Sequence, residues 1–87
     1  MTELTANNIR EWLTEKLAHR LDAPVSEVDV DQYFDEFGLE STEALVLAGE
    51  LENWLGMELE TTALWYHPTI NQLSDFIANE LKSNGQQ

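Results

Sequence analysis

Apolar residues return at helical intervals in three stretches of the chain. Ala6, Ile9, Leu13 and Leu17 are three or four positions apart, so they share one face when each residue turns by about 100°. This predicts a helix from about Ala6 to Leu21, with Pro24 just beyond its end. Ala44, Leu47, Ala48, Leu51, Trp54 and Leu55 share one side of a second predicted helix, Ser41 to Leu55. Gly56 follows it, as the left-handed residue that closes many helices. Ile70, Leu73, Ile77 and Leu81 form the stripe of a last helix opening at Thr69. Thr69 and Gln72 have the spacing of a capping box there. A short helix is predicted from Thr61 to Tyr66, closed by His67-Pro68.

The stretch between the first two helices, Asp22 to Glu40, is long but not polar. Val25, Val28, Val30, Tyr33, Phe34, Phe37 and Leu39 recur through it. Long connections in small domains are usually functional or pinned by their own side chains. All seven residues are therefore expected to cover one end of the bundle. Nothing in the chain reads as a strand ladder. The expected fold is all-α: a small four-helix bundle of three longer helices and one short one, with a long loop between helices one and two. The 87 residues are read as one domain, with its core at about 5–82 and a polar, disordered tail at 83–87.

Charge sharpens this picture. Seventeen acidic residues stand against four basic ones, a formal net charge of −13. No lysine or arginine occurs between Arg20 and Lys82. Such a surface repels nucleic-acid phosphates and would attract basic patches on partner proteins. No apolar run approaches the ~20 residues of a membrane span, and Met1 to Arg10 shows no secretory signal. The chain has no cysteine. A cytoplasmic monomer is expected.

Little of the chain offers chemistry. Asp29, Asp31 and Glu40 have the span of a calcium loop, but Phe34 stands where the turn needs glycine and Tyr33 where an oxygen ligand is needed. His19 and His67 are far apart in sequence and have no neighbouring ligands, so no metal site is expected. No nucleophile elbow or catalytic set is recognisable, and no catalytic residue is assigned. Ser41 remains. By itself, a serine at a helix start reads as a cap that accepts a backbone N–H.

Its surroundings alter that reading. Ile9-x-x-Trp12-Leu13, Phe34-x-x-Phe37-Gly38-Leu39, Leu51-Glu52-x-Trp54-Leu55-Gly56 and Thr62-x-Leu64-Trp65-Tyr66-His67-Pro68-Thr69-Ile70-x-x-Leu73 occur in this order around Glu40-Ser41. The chain resembles an acyl carrier protein, of the polyketide synthase carrier-domain type, from about Ile9 to Leu81. The resemblance implies a carrier and not an enzyme. It implies that Ser41 receives 4′-phosphopantetheine from coenzyme A and that the thiol holds acyl intermediates as thioesters, for polyketide or specialised fatty-acid biosynthesis. It also implies partners: a phosphopantetheinyl transferase, and a ketosynthase, acyltransferase or acyl-activating enzyme with basic docking patches. Glu40, Thr42, Glu43, Leu45 and Gly49 would form the docking surface. Two positions depart from the family pattern, Glu40 where it has aspartate and Thr42 where it usually has leucine. They favour one alternative, an unmodified carrier-like acidic interaction module.

Overall fold

A computed structural model describes residues 4–59 and 63–83. The first helix spans Ala6–Leu21. Thr5 caps it: its hydroxyl accepts the Asn8 N–H at 3.2 Å, and the Asn8 side chain accepts the Thr5 N–H at 3.4 Å. Asp22 ends it in the left-handed region at φ 56°. Ile9, Leu13 and Leu17 are fully buried, as their spacing predicts.

The long connection contains two short 3-10 turns, Val25–Glu27 and Phe34–Phe37. It is stitched to the start of the last helix. Phe34 N–H donates to the Pro68 carbonyl at 2.8 Å and Asn71 N–H to the Val30 carbonyl at 3.0 Å. Tyr33 and Thr69 form an isolated antiparallel bridge. The Asn71 side chain adds a bond to Asp31 at 2.7 Å and accepts one from Arg10 at 2.6 Å, linking connection, last helix and first helix.

The expectation that all seven apolar residues of this connection cover the bundle is corrected at two positions. Val28 and Phe34 are buried, and Val30, Phe37 and Leu39 are partly so. Val25 is 50% exposed and Tyr33 52%. Val25 begins a turn with no buried residue. Tyr33 has extended backbone, φ −64° and ψ 144°, next to inward-facing Phe34. Adjacent side chains on extended chain point to opposite sides, so only one of the two enters the core.

The second helix spans Ser41–Leu55 and ends at Gly56, whose φ of 74° gives the predicted left-handed stop. Leu47, Leu51 and Leu55 are buried. Trp54, assigned to the same side, is instead exposed at the rim and stacks on Trp12. The last helix spans Ile70–Ser83, with Ile70, Leu73 and Ile77 fully buried and Leu81 partly buried. The Thr69 hydroxyl accepts the Gln72 N–H at 3.1 Å, the first half of the predicted cap. The first and last helices pack directly against each other. The expected tail begins inside this helix at Ser83, and 84–87 lie outside the described residues.

The four-helix expectation is corrected. Among the described residues three helices carry the bundle, joined by the two 3-10 turns and one further turn, Ala63–Tyr66. That segment is four residues long, and its predicted start at Thr61 and Thr62 lies outside the described residues. Its last bond runs from His67 N–H to the Ala63 carbonyl at 2.9 Å, and Pro68 follows at once. Proline disfavours helical backbone in the residue before it. So short a turn has no stripe to bury: Ala63 is inside, Leu64 is half-buried and Tyr66 is exposed.

Candidate functional site

The second helix begins where three constraints meet. Phe34 is buried, so the second 3-10 turn is anchored. Gly38 follows with φ 83°, a backbone region that disfavours residues with a Cβ. Leu39 is partly buried, and Glu40 returns to extended backbone at φ −80° and ψ 163°. The chain therefore enters the helix between an apolar anchor and solvent.

Glu40 occupies the cap position and Ser41 the first helical position. This corrects the reading of Ser41 as the cap. The Glu43 carboxylate accepts the Glu40 N–H at 3.1 Å, and the Glu40 carbonyl accepts the Ala44 N–H at 2.9 Å. The Glu43 carboxylate thus supplies the reach-back half of a capping box around Glu40. Acids at this end also oppose the positive end of the helix dipole.

The expected docking residues Glu40, Thr42, Glu43, Leu45 and Gly49 are all exposed. Helical geometry places Thr42, Leu45 and Gly49 on one strip. Glu43 is turned about 100° from Thr42 and belongs to the cap rather than the strip. Val46, which that strip leaves out, is 51% exposed beside Leu45 at 53%. A signal for it exists in the run Ala44-Leu45-Val46-Leu47-Ala48: five successive apolar residues encircle a helix, so some face out.

The cations are mostly elsewhere. Arg10 lies 4.0 Å from Asp75, and the Lys16 ammonium sits 5.3 Å from the Trp12 ring centre. Among the described residues, Arg20 pairs with the second helix, 3.8 Å from Glu50. The first turns of that helix keep their acidic character.

Asp29 and Asp31 serve the connection. Asp29 accepts the Asp31 N–H at 2.9 Å, and Phe34 of the same segment is buried. Among the described residues, no three His, Cys, Asp or Glu side chains gather to hold a metal ion. His67 stacks on Phe76 at 4.2 Å, while His19 is exposed on the first helix. Among those residues, no helix is long and apolar enough to cross a membrane.

Comparison with known proteins gives this geometry its context. The family described as "Phosphopantetheine attachment site" matches residues 11–77. The chain is 37% identical over 71 residues to a phenolphthiocerol/phthiocerol polyketide synthase of Mycobacterium tuberculosis, covering 82% of this chain but only 4% of that protein's length. It is 33% identical over 75 residues to acyl carrier protein TtuC of Teredinibacter turnerae, covering 86% of each. Its fold superposes with a TM-score of 0.85 on an acyl carrier protein from Anabaena sp. that has a variant phosphopantetheinylation-site sequence, at 34% identity, covering 91% of this chain and 90% of that one.

Proposed function

Because this chain belongs to the phosphopantetheine attachment site family, as an acyl carrier acted on by other enzymes, we propose that Ser41 is the residue that takes the 4′-phosphopantetheine arm. The supporting observation is its position. Ser41 is the first residue of a 15-residue helix whose cap is the preceding glutamate, and its neighbours Glu40 and Thr42 are exposed. A first-turn residue lies beside free backbone N–H groups and the positive end of the helix dipole, which favour an attached phosphate. That is the fit this fold offers to the group.

In the loading step the Ser41 oxygen bonds to the phosphorus on the pantetheine side of coenzyme A. The pyrophosphate P–O bond breaks, adenosine 3′,5′-bisphosphate leaves with the electron pair, and the hydroxyl proton passes to a base of the transferase. When bound, the arm supplies a thiol that holds acyl groups as thioesters. The helices supply a rigid address, and the tether raises the local concentration of its cargo at partner sites. Glu40, Thr42, Leu45, Val46 and Gly49 form the surface read by the transferase and by ketosynthase, acyltransferase or acyl-activating partners, with Glu43 adding charge. The cargo belongs to polyketide-like or specialised fatty-acid synthesis. The reading covers the chain as a single carrier domain.

Mass spectrometry after incubation with coenzyme A and a phosphopantetheinyl transferase from the same organism tests this. One phosphopantetheine mass is expected on the wild type and none on Ser41→Ala. A wild type that gains nothing returns the chain to the role of an unmodified interaction module.

A further inference from the structure

A shallow depression of about 520 Å³ opens beside the second helix, lined by Gly49, Glu52, Asn53, Gly56, Met57 and Glu58. Gly49 has no packing reason to be glycine. It is exposed, and a Cβ built there meets nothing within 4 Å. Glycine weakens a helix interior, so its presence here calls for another explanation.

The helix places the depression on the side of Ser41. With about 100° per residue, Ser41, Leu45, Gly49, Glu52 and Gly56 fall within an arc of roughly 80°. With a rise of about 1.5 Å per residue, Gly49 is ~12 Å and Glu52 ~17 Å from Ser41 along the axis. A phosphopantetheine arm has about thirteen bonds from phosphorus to sulfur. That is the contour of some four residues of extended chain, or ~15 Å. A tether fixed at Ser41 therefore ends at the depression if it runs along this face.

We propose that the depression is a berth for the distal half of the arm, held against the outside of the second helix. The proposal rests on Ser41 as the attachment point. The lining suits the arm's chemistry. Its two amides need both donors and acceptors, and exposed Asn53 offers both, while the Glu58 carboxylate accepts from an amide N–H. Half-buried Met57 gives a polarizable apolar contact for the methylenes beside the sulfur. Glu52 forms one wall, fixed in place by its Oε2, which accepts the Leu59 N–H at 2.6 Å. At Gly49 any longer side chain would stand across the path. Gly49 belongs to both the berth and the docking strip, so a partner seated on that strip displaces the arm and receives its end.

The test uses the loaded protein, with the mass gain verified first, and compares amide ¹H–¹⁵N spectra of loaded and unloaded wild type. Shifts are expected at Gly49, Asn53, Gly56, Met57 and Glu58 as well as at residues 40–43. Alkylation of the arm's thiol is expected to be several-fold slower than that of free pantetheine. Gly49→Leu lies on the surface the transferase reads, so it is loaded to completion with excess transferase and checked by mass; it should then lose the distal shifts and alkylate at the free rate. Gly49→Ala, whose Cβ enters open space, is the folding control. A wild type that carries the mass but shifts only at residues 40–43 overturns the berth and leaves Ser41 as the attachment site. A wild type without the mass gain overturns both.

Discussion

Trp12 and Trp54 lie ring on ring, with centroids 5.0 Å apart and planes 14° from parallel. Trp12 belongs to the first helix and Trp54 to the last turn of the second. The Lys16 ammonium, 5.3 Å from the Trp12 ring centre, extends the cluster. This stack and the Arg20–Glu50 ion pair join the two helices along their outer rim. Stacked aromatic pairs contribute about 0.5–1.5 kcal/mol beyond the area they bury. A double-mutant cycle of Trp12→Ala and Trp54→Ala, read by urea denaturation, should show a coupling of about 1 kcal/mol. Strict additivity would mean that the rings are neighbours without interaction.

Ser74 is fully buried in the last helix, and among the described residues its hydroxyl has no hydrogen-bond partner. Leaving a buried polar group unsatisfied costs about 1–3 kcal/mol. Ser74→Ala should therefore raise stability, by about 1 kcal/mol, in thermal or chemical unfolding. A clear loss of stability would show that the hydroxyl is satisfied in solution.

Gly49→Ala should also stabilise the fold. The position is inside a helix, exposed and sterically open. Alanine gains about 1 kcal/mol over glycine in such a place. Denaturant unfolding of the unloaded protein measures this without involving the arm.

Phe34→Ala should be severe. The ring is buried and anchors the connection that leads to Gly38 and Ser41. Truncating a buried phenylalanine costs about 3–5 kcal/mol. In a bundle this small that is a large part of total stability. Melting temperature and the rate of loading at Ser41 should fall together.

Glu43 and Glu50 separate charge from structure. Glu50 is already paired with Arg20, so reversing it breaks an intramolecular contact as well. Glu43 accepts the cap N–H of Glu40. Glu43→Gln should keep that acceptor and lose only the charge. Its association with a basic-patched partner should slow at low salt and depend less on ionic strength, as stopped-flow binding would show. Rates equal to wild type at all salt concentrations would assign the acidic surface to solubility alone.

The regular elements were legible because the relevant signals are local. The stripe Ile9, Leu13, Leu17 and the stripe Ile70, Leu73, Ile77 follow the turn of a helix, and all six residues are buried. Gly56 and Thr69 terminate and start helices through bonds within a few residues of themselves. Ser41 stood out for a similar reason: its neighbourhood is a compound pattern that can be read without knowing what packs against it. The exact cap was less legible. Serine is the better cap in isolation, yet the turn set by Gly38 and Leu39 delivers Glu40 to that position.

By itself, the sequence determined where the three helices run and where the second begins, because hydrophobic periodicity and end signals act over one or two turns. Only the tertiary structure decided which apolar residues are inside. Val25, Tyr33, Val46 and Trp54 are also large hydrophobic side chains, but remain outside. A core this small has fewer places than the chain has apolar side chains, and the allocation depends on how the connection crosses the bundle. Among the described residues the predicted short helix is the single turn Ala63–Tyr66, met by Pro68, and an open depression lies on the side of the second helix that Ser41 shares.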